Sequence, residues 1–101
     1  MTYGVRFPSH STENKFEKIL SRISKKNIQD EIMDAVKSLA GNPFPYGEKP
    51  FKKLDPPVIF YQFTAQYRIR VRDYRILYDV DKDRKIVWVL ALRIRSEKTY
   101  K

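Results

Sequence analysis

Tyr67-Arg-Ile-Arg-Val-Arg-Asp-Tyr-Arg-Ile-Leu-Tyr78 decides the reading of this chain. Alternation with period two puts Tyr67, Ile69 and Val71 on one face of a strand and Arg68, Arg70 and Arg72 on the other. A tight turn at Arg72 and Asp73 leads into a second strand, Tyr74 to Val80, so the stretch reads as a β-hairpin with one apolar and one arginine-rich face. A solvated strand face ordinarily mixes Lys, Glu, Thr and Gln. Arginine at three alternate positions, with Arg75 beyond the turn and Arg93 and Arg95 later, implies a surface that holds phosphates, because the guanidinium fork matches phosphate oxygens. The alternative, an edge strand that uses charge against aggregation, normally employs Lys and does not account for the clustering.

Outward from the hairpin, Ile86 to Ile94 reads as a third strand after a turn at Asp81 to Lys85, which makes an antiparallel meander. Its alternation sets Ile86, Trp88, Leu90 and Leu92 against Val87, Val89, Ala91 and Arg93. Upstream, Val58 to Phe63 forms an extra strand or extended segment, and residues 43–57, with five of the six prolines, form a loop pinned by Phe44, Tyr46 and Phe51. Ser11 or Thr12 caps a helix whose apolar positions Phe16, Ile19, Leu20 and Ile23 leave Lys15, Lys18 and Arg22 outside. A second helix runs from about Ile28 to Ala40, with Gly41 at its C′ position. Tyr3 to Pro8 is a short strand that joins the sheet later. This order predicts an α+β fold: an N-terminal strand, an αα-hairpin, then an antiparallel meander, with the helices on one face of the sheet and the other face free for ligand. Residues 1–101 form a single domain on this reading.

Composition narrows the function. The chain carries a net charge of +9, with 10 basic and 7 acidic residues in 1–66 against 11 and 5 in 67–101, so the strand-rich end holds the field. Such a potential favours nucleic acid, a ribosome surface or an acidic protein as partner, and no basic amphipathic helix suggests a membrane. With no cysteine and no apolar run long enough to span a bilayer, the chain is expected to be soluble and cytoplasmic. Its one histidine, His10, sits in a capping segment without a His or Cys companion. There is no P-loop and no GxGxxG, and Asp79, Asp81 and Asp83 are interrupted by Lys82, Arg84 and Lys85, which suits a polar turn rather than a metal loop. No metal or cofactor is therefore expected. Phosphodiester chemistry on RNA fits, since RNA brings its own 2′-OH and arginines stabilise the charge that develops on phosphorus. Tyr100 follows Arg93 and Arg95 closely enough to enter the same pocket, or else covers the sheet edge.

The run Tyr67 to Tyr78 resembles the central YRIRVGDYRxxY signature of the RelE/ParE toxin superfamily, and Arg93-Ile-Arg-Ser-Glu-Lys-Thr-Tyr100 is similar to the basic C-terminal segment of its RelE branch. The resemblance implies a ribosome-dependent mRNA endonuclease that works without metal, paired with an acidic antitoxin. By the same resemblance Arg68 and Arg70 handle phosphate and assist proton transfer, and Arg75 stabilises the transition state. Arg95, or Arg93, serves the leaving group, and Tyr100 orients or stacks on substrate. Arg72, Arg93, Lys15, Lys18 and Arg22 complete the expected contacts to RNA and ribosome. Two positions depart from the pattern: Arg72 replaces the usual turn glycine, and no histidine precedes the C-terminal arginine. A ParE-like inhibitor of DNA gyrase that acts by binding, and a non-catalytic RNA binder, are the competing readings.

Overall fold

The computed structural model describes residues 2–48, 50–60 and 62–94. Its elements run β1 (Gly4–Arg6), α1 (His10–Ser21), α2 (Lys26–Ser38), β2 (Phe51–Phe60), β3 (Phe63–Val71), β4 (Tyr74–Asp81) and β5 (Ile86–Ile94). The five strands form one sheet in the order β1-β5-β4-β3-β2, antiparallel except for β1, which lies parallel to β5. The α+β order predicted from the chain is the order observed.

The helix hairpin covers one sheet face because its apolar stripe and the strands' apolar alternation meet there. Phe16 of α1, Ile32 and Val36 of α2, Ile69 of β3 and Ile76 of β4 pack into the main core. Tyr78 is fully buried among them, and its hydroxyl donates to the Pro43 carbonyl at 2.8 Å, so the proline loop is tied to the sheet by a buried hydrogen bond. Phe44 and Phe51 close over this point, their rings 5.2 and 5.9 Å from that of Tyr67. Tyr46, expected to pin the same loop, stacks on Phe44 but remains 69% exposed.

Several local expectations are corrected. Ser9, not Ser11 or Thr12, caps α1: its extended backbone lets Oγ accept from the Thr12 N–H at 3.1 Å. Helix α2 starts two residues early and unwinds through short-range bonds from Ala40 to Lys37 and from Gly41 to Ser38, so Gly41 adopts no left-handed cap. The proline-rich segment is not all loop, because β2 begins at Phe51 and pairs with β3 on both sides of a register break between Lys53 and Val58. Pro56 and Pro57 fall in that break on an edge strand, where a missing N–H costs no ladder bond.

Strand β5 departs most from simple alternation. Leu77 pairs with Ala91 but Tyr78 with Val89, which leaves Leu90 as an extra residue, a β-bulge. The bulge resets the parity. Val87, Val89 and Leu92 all reach the main core, whereas unbroken alternation sets Leu92 against the two valines. The outer face is not bare either: Ala65, Leu77 and Leu90 form a smaller cluster backed by Leu54, Val58 and Trp88.

Candidate functional site

Sheet register assembles the arginines. Arg70 of β3 lies opposite Arg75 of β4, and Arg75 lies opposite Arg93 of β5. Because Ile69, Ile76 and Leu92 form the adjacent buried row, the three guanidinium groups project from the outer face, on strands about 4.8 Å apart. The Leu90 bulge is what aligns Arg93 with the row while Val87 and Val89 stay buried. Like charges directly opposite each other destabilise a sheet. Neither Arg70 nor Arg75 has an anionic side-chain partner among the described residues. Arg68 stands one row further along the same face, opposite Leu77, and its Nη1 donates to the Pro50 carbonyl at 3.1 Å.

Arg72 does not belong to this row. It occupies the two-residue turn between β3 and β4 with φ at 55°, and its guanidinium makes a bidentate pair with Glu31 of α2, both bonds at 2.9 Å. That hydrogen-bonded pair lowers the Glu31 pKa and raises that of Arg72. Arg72 thereby forms a clamp between the hairpin turn and the helix layer. The departure from the turn glycine has a compensation that the local sequence does not show, since Glu31 lies forty-one residues away.

On the other side of β5, a groove of about 400 Å³ runs between α1 and the strand, floored by Phe16, Ile19 and Leu92 and rimmed by Lys15 and Arg93. A further hollow of about 370 Å³ continues it past Ile23 and Tyr74, with Arg22 and Arg93 at its rim. Lys15 and Arg22 are thus brought near the C-terminal end of the arginine row, and Lys18 is an exposed residue of the same helix. Arg95 and Tyr100 lie outside the described residues.

Three guanidinium groups in register can hold the oxygens of one phosphate or bridge two neighbouring ones. They cannot act as proton acceptors at neutral pH. The sheet tyrosines are poor substitutes: burial pushes both Tyr67 and Tyr78 above the ordinary phenol range, most strongly Tyr78. Asp79, on the same face two steps along β4 from Leu77, is also pushed up by burial. Asp81 is used locally, its Oδ1 accepting from the Arg84 N–H at 3.0 Å to close the β4–β5 turn. The outward placement of Trp88 and Asp79 as neighbours has no signal in the sequence, because the bulge that sets it has no glycine or proline to mark it.

The sequence matches the family described as "ParE toxin of type II toxin-antitoxin system, parDE" over residues 8–99. Among solved structures, the chain is similar to the archaeal RelE of the RelE–RelB complex from Pyrococcus horikoshii OT3, at 25% identity and a TM-score of 0.70, covering 96% of this chain and 99% of that one. It also shares its fold with a chain of the RelBE2 toxin–antitoxin complex of Mycobacterium tuberculosis, at 20% identity and a TM-score of 0.63, covering 96% and 95%. A mutant of E. coli RelE in the free state is more distant, at 12% identity and a TM-score of 0.52, over 98% and 90%. No curated protein sequence gives a significant match. With a family match over nearly the whole chain and RelE structures as its neighbours, the protein belongs to the ParE toxin family of the RelE/ParE superfamily and is a toxin of a type II toxin–antitoxin system.

Proposed function

We propose that this toxin is a cytoplasmic, ribosome-dependent mRNA endonuclease. The observation that carries the reading is the row Arg70, Arg75 and Arg93, three cations set directly opposite one another against the interest of sheet stability. In the reaction, the ribose 2′-OH gives its proton to solvent as its oxygen attacks the adjacent phosphorus, a 2′-O–P bond forms, the P–O5′ bond breaks and the 5′-oxygen takes a proton from solvent, so the upstream fragment ends in a 2′,3′-cyclic phosphate and the downstream one in a 5′-OH. Charge on the non-bridging oxygens rises through this step, and preorganised guanidinium groups stabilise it. Arg75, in the middle of the row, is assigned to those oxygens, with Arg70 and Arg93 on either side. Arg68 steadies the chain's approach, and Lys15, Lys18 and Arg22 supply contacts to RNA or ribosome. Arg95 and Tyr100 remain candidates for the leaving group and for stacking.

The second reading is a ParE-like protein that inhibits DNA gyrase by binding, and the matched family description favours it. Toeprinting of mRNA on translating ribosomes, run beside a gyrase supercoiling assay, separates the two. Cleavage within the ribosome-bound codon with supercoiling untouched is the expected result; inhibited supercoiling with intact mRNA overturns it. In either case the partner is an antitoxin, as in the neighbours' complexes, and an acidic one would cover the basic face or the helix hairpin by charge complementarity.

A further inference from the structure

Two steps along the outer face, the character of the surface changes. Asp79 pairs with Trp88 across β4 and β5, and Gln66 of β3 reaches Asp79 from the other side, its Nε2 donating to Oδ1 at 3.4 Å. Gln66, Asp79 and Trp88 thus form a second row parallel to the arginines. At about 3.3 Å per residue, Asp79 lies about 13 Å from Arg75 along β4, within reach of a short single strand. Hollows of about 270 and 560 Å³ flank this row, and Asp79 and Trp88 line both. In a chain of net charge +9, Asp79 has no cationic partner among the described residues.

We propose that Gln66, Asp79 and Trp88 form a base-recognition pocket selective for guanine, placed on the strand whose phosphates lie along the arginine row. This rests on the RNA-binding reading and adds base preference to it. With Gln66 Nε2 engaged by Oδ1, the pair's other side-chain oxygens, Asp79 Oδ2 and Gln66 Oε1, are acceptors. Guanine is the base whose Watson–Crick edge offers two neighbouring donors, N1–H and the N2 amino group. Adenine and cytosine place an acceptor beside their amino group, and uracil sets its one N–H between two acceptors. Half-buried Trp88 supplies the aromatic surface on which single-stranded bases stack. The partial desolvation of this corner strengthens the hydrogen bonds made there and penalises a base that leaves the acceptors unpaired.

Trp88 is the single tryptophan of the chain, so its fluorescence reports on the pocket. The test titrates the full-length protein with a short oligouridine and with the same oligomer carrying one guanosine, adenosine or cytidine, and with arginine amide as a protein-like cation. The guanosine oligomer should bind about 10-fold tighter than the others and quench Trp88, as one good bidentate base contact provides. Asp79→Asn should bring it to the level of oligouridine; if that variant does not fold, Gln66→Ala is expected to show the same loss. Equal binding of all four oligomers, a guanosine preference that survives Asp79→Asn, or quenching by arginine amide and not by the guanosine oligomer would each overturn the pocket. Loss of the pocket with ribosomal cleavage intact leaves the endonuclease reading standing, whereas absence of binding to every oligomer removes both.

Discussion

Arg72 and Arg75 sit three positions apart in one signature and have different jobs. Arg72 joins the hairpin turn to Glu31, so Arg72→Ala and Glu31→Ala should each lower the melting temperature, and the double variant should lose little more than either single one. Arg75→Ala should keep or slightly raise it, because removing the middle cation relieves repulsion on both sides. Thermal unfolding followed by circular dichroism checks all four variants; additive losses in the double variant would mean that the clamp carries no coupling. Tyr78 makes a buried counterpart to this surface pair. Tyr78→Phe leaves the buried Pro43 carbonyl without its donor and should cost about 1 to 2 kcal/mol by chemical denaturation. Burial raises the Tyr78 pKa, so the unfolded chain loses this proton first and native stability falls as pH rises above the ordinary phenol value of about 10. Tyr78→Phe should flatten that alkaline fall.

At the scale of elements, the Leu90 bulge decides which residues of β5 are core and which are surface. Deleting Leu90 would restore plain alternation with Val87, Val89 and Leu92 still on the core face and Arg93 still in the row, so the shortened chain should keep a cooperative thermal transition. Loss of the near-ultraviolet dichroism in that variant would refute the reading of Leu90 as the extra residue. Element order, the helix hairpin and the β3–β4 hairpin were legible in the sequence, because each has a strong period and a marked boundary. The burial of Ile69 and Ile76 follows from alternation, whereas the placement of Arg70 opposite Arg75 is set by the two-residue turn at Arg72 and Asp73. The bulge was not legible: Leu90 is one apolar residue among Val-Trp-Val-Leu-Ala-Leu, and nothing local says which of them is extra. The sequence shows strand β2 too short for the opposite reason, since Pro56 and Pro57 signal a loop even where an edge strand tolerates them. The cap moved from Ser11 or Thr12 to Ser9 because several hydroxyl residues compete there, and Ser9 is the one whose backbone is extended.

Taken whole, the molecule is a cationic sheet face backed by a helix layer, and its function depends on how much of that charge is held in fixed geometry. If Arg70, Arg75 and Arg93 each neutralise a phosphate, log K for single-stranded RNA should fall with log salt at a slope of about −2, and Arg75→Ala should make it shallower by roughly 0.7. A slope near zero would remove RNA from the ligands. The clustering of arginines was visible in the sequence, whereas the division of labour among them was not, because Arg72 leaves the row through a contact with Glu31 and Arg93 enters it through a bulge. The most direct measurement is the single-turnover rate of mRNA cleavage on programmed ribosomes at saturating toxin, for the wild type and Arg75→Ala. Saturation removes the binding contribution, so a loss of about 10²-fold or more in rate, with the melting temperature kept, is the predicted result for a transition-state contact. A rate unchanged at saturation, with only the toxin concentration required for it increased, would show that the row binds RNA without taking part in the chemistry.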